Sequence, residues 1–180
     1  MFALIFGLSF LANAQDVQKD QPKGYQFTDI KRLPATSVKD QARAGTCWSW
    51  SGISFFESEM IRMGKEPIDL SAMYIVRHAY SDKATKFVRL HGNMNFAVGG
   101  AFCDVMHVIK NYGIVPMDVY KGLNYGEPNH AFGEIDDVLA GYINAVIKNS
   151  NKKLSTAWKK GFDGILDAYL GEEPEKFEYK

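Results

Sequence analysis

The sequence predicts an α+β protein whose 180 residues are mostly helix. Three observations point there. One early stretch alternates with the period of a strand, five later stretches place apolar residues three and four apart, and glycines stand where three of those stretches stop. With 46% hydrophobic and 13% aromatic residues, the chain can bury a core as one globular domain. Twenty-one basic residues balance 21 acidic ones, so no net field draws nucleic acid or an anionic membrane. Partners must be recognised locally.

Residues 1–14 carry an apolar run from Phe2 to Leu11 and then Ala12, Asn13 and Ala14, a small-x-small site. This is the pattern of a secretory signal peptide, although its first residues lack the usual Lys or Arg; the other reading is a buried N-terminal strand or helix. The run is too short for a membrane span, so after cleavage no membrane segment is left. The mature chain is then expected to be exported, periplasmic or secreted, and soluble. Residues 15–38 form a linker and strand: Asp16 to Gly24 are polar, "YQFTDI" alternates through Tyr25, Phe27 and Asp29, and Pro34 ends regularity. Residues 39–180 are the main domain.

From Cys47 a first helix places Trp50, Ile53, Phe56, Met60 and Met63 on one face and stops at Gly64. Ser71 caps a second helix carrying Met73, Val76, Tyr80 and Phe87. A third runs from Phe102 to Tyr112, with Val105, Ile109 and Tyr112 inward and Gly113 as its C-terminal glycine. Pro116 to Phe132 is rich in turn formers and aromatics and reads as an ordered loop. A fourth helix spans about Glu134 to Asn149, with Ile135, Val138, Leu139, Tyr142 and Val146 on its stripe. The last runs from about Ser155 to Leu170 through Trp158, Phe162, Ile165 and Tyr169, with Gly171 and Pro174 beyond it. No internal repeat or low-complexity segment is visible.

The chemistry concentrates in "VKDQARAGTCWSW", residues 38–50. A cysteine followed by tryptophan is by itself compatible with a buried structural residue, and two cysteines in an exported chain also raise a Cys47–Cys103 disulfide. The setting of Cys47 suits catalysis. It opens a helix, where unpaired N–H groups and the macrodipole favour the thiolate, the form that acts as nucleophile. An acyl-transfer oxyanion needs donors, and the backbone N–H of the nucleophile plus one nearby amide side chain would provide them. Gln41 can be that amide, because the small residues of "ARAG" allow the chain to fold back toward the sulfur.

"QARAGTCWSW" resembles the nucleophile region of the papain-like cysteine peptidases, with glutamine and cysteine at that family's spacing. "LSAMYIVRHAY", "NFAVGGAFCDVMHVIKNYGIVP", "GLNYGEPNH" and "VLAGYINAVIKNSNKKLSTAWKKGFDGILDAYLG" are similar to its bleomycin hydrolase and aminopeptidase C branch, particularly exported bacterial members. The resemblance covers nearly all of Lys39 to Lys180. It implies a papain-like fold, present here mostly as its helical half plus a helical insertion. It implies Cys47 as nucleophile, Gln41 as oxyanion-hole donor, and Gly99 and Gly100 as a glycine pair lining the substrate cleft, where bare backbone can bind an extended peptide. Taken alone, that glycine pair reads as a turn before the third helix. Ala44 stands where many papain-like enzymes have a disulfide cysteine, which leaves Cys103 unpaired and packed against its own helix. The resemblance further implies peptide substrates, no cofactor and no metal, and assembly into a homo-oligomer, a hexamer in that branch.

Papain-like catalysis also needs a histidine base and an asparagine to orient it. In the resembled family both follow the helical insertion, beyond the last residues here. None of the four histidines matches the base. His78 is expected half-exposed on a helix, His91 in a loop, and His130 hydrogen-bonding its loop. His107 shares a helix face with Cys103, but a Cys/His pair is too small for a structural zinc site. Three readings follow: a portion of a longer peptidase, expected to expose apolar surface and self-associate; a short non-catalytic peptide-binding module; and a redox or metal-responsive protein using Cys47, Cys103 and His107.

Overall fold

The computed structural model describes residues 24, 25 and 27–175. The signal peptide of residues 1–14 and the polar linker up to residue 23 lie outside the described residues. The chain divides into Met1–Arg32 and Leu33–Lys180. In the first unit the described residues form no strand, contrary to the alternation of "YQFTDI". Alternation prepares a segment for a sheet, but a strand exists only when an edge accepts its N–H and C=O groups. The rings of Tyr25 and Phe27 stand 6.4 Å apart, tilted by 48°.

The second unit contains α1 (Cys47–Arg62), α2 (Ala72–Arg89), α3 (Phe102–Tyr112), α4 (Gly133–Ile147) and α5 (Ala157–Leu170). Pairing between extended segments is limited, among the described residues, to a parallel bridge from Arg43 to Ala131 and an antiparallel one from Leu70 to Pro116. The long connection before α4 is ordered by bonds from Met117 N to Asp69 O and from Asn124 N to Tyr169 O, both 2.8 Å.

α2 is the hub, packing on α1, α3, α4 and α5, while α1 also meets α3 and α4 meets α5. Twelve of its eighteen residues are buried, so it is enclosed all round instead of along one stripe. Ser71 caps it as expected, its Oγ accepting from Tyr74 N at 3.0 Å. Enclosure corrects the half-exposed His78: the side chain is buried, stacked on Tyr112 at 4.2 Å and edge-on to Tyr74 at 4.4 Å. Burial is the leading cause that holds its pKa below the ordinary histidine value. Its neighbour Arg77 is buried too, and pairs with Asp167 and Glu173.

The inward face of α1 shares Ile53 with the stripe periodicity selects, keeps Trp50, Phe56 and Met60 at its border, and is centred on residues that periodicity does not select. Trp48, Ser49, Gly52, Ile53 and Glu57 are buried, Trp50, Phe56 and Met60 are half-buried, and Met63 is 67% exposed. A small and polar strip faces inward because its partners are polar or close: Ser49 Oγ donates to Ala72 O at 2.7 Å. At Gly52 a Cβ would stand 2.8 Å from Val105 Cγ2, so glycine permits α1 and α3 to approach. In α3, Tyr112 is 42% exposed and Val108 is buried in its stead. In α4, Val138 is likewise turned outward and Ile143 inward. α5 buries Phe162, Leu166 and Leu170. Phe96 joins α2 to α5 through ring contacts with Tyr80, Phe87 and Phe162 at 6.0 to 6.1 Å.

Tyr80 OH donates to Asp136 Oδ1 at 3.1 Å. Burial pushes the Asp136 pKa up to about 6, with Asp137 adding to it and the Tyr80 bond opposing it. A carboxyl raised above its unfolded value lowers stability once it ionises and restores it as pH falls through the folded pKa. Asp136→Asn is therefore expected to raise the melting temperature more at pH 7.5 than at pH 4.5 relative to the parent. Equal shifts at both pH values in thermal melts would refute this.

Candidate active site

The site is built by a reversal of the chain ahead of α1. Asp40 Oδ1 accepts from Ala42 N at 2.7 Å, and Ala44 N donates to Gln41 O at 3.2 Å. Ala42 and Gly45 both take left-handed conformations, with φ of 50° and 66°. Arg43 is clamped between, its N–H donating to His130 O at 2.9 Å and its carbonyl accepting from Phe132 N at 3.2 Å. Ala44 and Thr46 are buried, which fixes the entry into α1. Gln41 and Cys47 consequently face one groove.

Cys47 is the first residue of α1 and carries an exposed free thiol. Thr46 is the N-cap residue, yet its Oγ accepts from Trp50 Nε1 at 3.2 Å and gives no cap to a backbone N–H. The first N–H groups of α1 are thus uncapped by a side chain, beside the sulfur, where a developing negative charge would be stabilised. Gln41 Oε1 is buried with no hydrogen-bond partner among the described residues.

The groove holds about 420 Å³ and is lined by Gln41, Cys47, Trp50, Ser51 and Ser54, with residues 35–39 as its opposite wall. A larger cavity of about 530 Å³, between Arg43, Tyr125, Glu127 and Tyr169, contains no thiol. The wall is tied to α1 by Glu57, whose side chain is fully buried. Glu57 Oε2 accepts from Thr36 Oγ1 at 2.5 Å and Lys39 Nζ at 2.6 Å, and Oε1 accepts from Leu70 N at 2.7 Å. Lys39 also meets Asp69 Oδ1 at 2.9 Å. Burial disfavours its ammonium, but these carboxylate contacts outweigh that and raise its pKa. Periodicity does not single out Glu57. The available signal is a carboxylate one turn after Ile53 on the same face, in a helix otherwise read as apolar there.

Gly99 and Gly100 are not among the residues lining this cavity; Gly100 lies against Trp48, the residue after the nucleophile, and a Cβ on Gly99 would meet nothing within 4 Å. A Cβ on Gly100 would stand 2.5 Å from Trp48 Cε2, so only glycine fits against the indole. Trp48 Nε1 donates to Val98 O at 2.9 Å, tying the residue after the nucleophile to the residue before the glycines.

No histidine lines the Cys47 groove. The His130 ring stands 5.9 Å from that of Trp50, one of the groove residues. Its expected side-chain bond to the loop is not formed: Nδ1 is buried without a partner, and the backbone carbonyl holds the loop instead. Burial lowers its pKa. His91 is an exposed loop residue with φ of 51°. His107 Nε2 lies 3.1 Å from Asp82 Oδ2. Cys103 is free and exposed, which corrects its expected packing against α3, and neither thiol is in a disulfide. No cluster of three or more His, Cys, Asp or Glu able to hold a metal occurs among the described residues. No described helix is long and apolar enough to cross a membrane.

A thiol at an uncapped helix start that shares a groove with a side-chain amide, in a mostly helical unit, is an arrangement a thiol peptidase can use. The sequence profile described as papain family cysteine protease matches residues 22–158. The chain belongs to the papain family of cysteine proteases, and its fold is papain-like, with the helical half dominating. It is similar to the crystal structure of PepW from Lactobacillus rhamnosis, with 20% sequence identity and a TM-score of 0.57 over 82% of this chain. The match covers 40% of that structure's chain. No curated protein matches the sequence.

Proposed function

We propose that this chain supplies the nucleophile and oxyanion donors of a cysteine peptidase of the aminopeptidase C and bleomycin hydrolase kind. The observation that carries the reading is Cys47, exposed at the start of α1 in one groove with Gln41. The thiolate forms a bond to the peptide carbonyl carbon. The oxyanion is held by Cys47 N–H and the Gln41 amide, and the C–N bond breaks as the amine takes a proton. Water then hydrolyses the thioester and restores the thiol. This chemistry also calls for a histidine to move the proton and an asparagine to orient it. Peptide substrates, export under an N-terminal leader and assembly of several copies complete the proposal. Partly exposed Phe55, Phe102 and Met106, the first two 5.4 Å apart, support an apolar face for assembly.

An activated ester separates this reading from a second one. Because p-nitrophenolate leaves without being protonated, an acetyl-amino-acid p-nitrophenyl ester can acylate Cys47 when no histidine assists. A burst approaching one p-nitrophenol per chain, accelerated by added imidazole, is the expected result. The absence of a histidine from the groove lining favours a non-catalytic peptide-binding module instead. That reading requires peptide binding with no burst.

A further inference from the structure

We propose that Lys83 is a positioning residue that fixes the Val98–Gly100 backbone as a peptide-binding rail beside the nucleophile. The inference rests on the peptidase reading above together with the glycine-pair cleft that the family resemblance implies, and adds a residue which that reading leaves unused. Lys83 lies in α2, and its Nζ donates to Gly99 O. The same ammonium stands 5.3 Å from the Trp48 ring centroid and 5.8 Å from that of Tyr80, within cation–π range of both.

These contacts close a circuit around the nucleophile. Trp48 follows Cys47, its indole N–H holds Val98 O, its ring lies against Gly100, and Lys83 covers the indole while holding Gly99 O. Val98 also packs on the chain reversal, its Cγ2 lying 3.2 Å from where a Cβ on Gly45 would stand. Two successive carbonyls, of Val98 and Gly99, are therefore taken by side-chain donors. A glycine pair without side-chain anchors would sample many conformations, and freezing them on binding would cost affinity. Holding both carbonyls settles the rail before a peptide arrives.

Burial is the leading cause that lowers the Lys83 pKa, with Lys86 adding to it and Asp104 opposing it. An exposed lysine would avoid that desolvation. The ammonium keeps the Gly99 carbonyl and two aromatic faces as contacts there.

The test uses the full chain and acetyl-trialaninal, a peptide aldehyde that adds reversibly to a cysteine thiol. Lys83→Met is expected to weaken aldehyde binding at least tenfold while the rate of Cys47 alkylation by iodoacetamide stays within twofold. The Gly99 carbonyl ¹³C resonance should move upfield and that of Val98 should not. Lys83→Arg, which keeps a cationic donor over the indole, should recover affinity to within threefold of the parent. If Lys83→Met does not melt cooperatively, Lys83→Gln takes its place in the same comparison. Parent-like aldehyde affinity in the uncharged variant, or equal losses in the arginine and uncharged variants, would overturn the role of Lys83 alone. A parent chain that alkylates at Cys47 but does not bind the aldehyde would overturn the cleft reading and this inference with it.

Discussion

Replacing Cys47 with serine is expected to abolish the ester burst, lowering its rate by at least about a thousandfold, while Cys103→Ser leaves it unchanged. Both thiols are exposed and free, so exposure alone would make them equally reactive. Their settings differ. Cys47 opens α1 with no side-chain cap and shares a groove with Gln41. Cys103 is the second residue of α3, where the Asp104 carboxylate accepts from Ala101 N at 2.8 Å and occupies that helix start with negative charge. A serine hydroxyl at position 47 is too weak a nucleophile without a base, so the uncapped helix start cannot rescue it. Gln41→Ala removes one oxyanion donor and is expected to slow the burst by about a hundredfold, leaving iodoacetamide alkylation nearly unaffected because that reaction develops no oxyanion. Stopped-flow absorbance with mass mapping of the acylated cysteine checks both. A burst that follows Cys103 would overturn the assignment.

The second large effect is on stability. Glu57→Ala is expected to cost about 3–5 kcal/mol, the range for removing one partner of a buried ion pair. The carboxylate serves three donors, Thr36 Oγ1, Lys39 Nζ and Leu70 N, from positions distant in sequence. Alanine leaves the Leu70 N–H without its acceptor and leaves Lys39 only Asp69, whose side chain is 55% exposed, as an ionic partner, with a 3.3 Å bond to Thr36 Oγ1 besides. For a chain of this size that cost corresponds to roughly a 6–20 °C fall in melting temperature. Glu57→Gln keeps an acceptor for Leu70 N but loses the charge facing Lys39, so its loss should be smaller. The effect extends to the site, since Glu57 joins the wall of residues 35–39 to the helix that carries Cys47. Circular dichroism melts of the three chains decide it, and a loss below about 1 kcal/mol for the alanine variant would refute the anchoring role.

Where structure and sequence agree, the controlling physics is local. Cys47 as helix start, Ser71 as cap and Gly113 as terminator each depend on a few neighbouring residues. Where they differ, the decision comes from a distance. α1 turns Ser49 and Glu57 inward because Ala72 O, Thr36, Lys39 and Leu70 satisfy them, and no periodicity of apolar residues carries that information. His78 is buried because α2 has neighbours on every side, which its own stripe does not disclose. "YQFTDI" has the alternation of a strand, but among its described residues no edge receives it.

The sequence by itself determined five helical segments, a cysteine at a helix start with a glutamine at peptidase spacing, and membership of the papain family. Those features are written in short-range pattern, where each residue's neighbours along the chain are also its physical environment. Only the tertiary structure decided that Gly100 meets Trp48 beside the nucleophile, that Lys83 holds the Gly99 carbonyl, and that Glu57 ties the groove wall to α1. These contacts join segments far apart in sequence. Their strength depends on burial and donor geometry, quantities that exist only once the helices have packed.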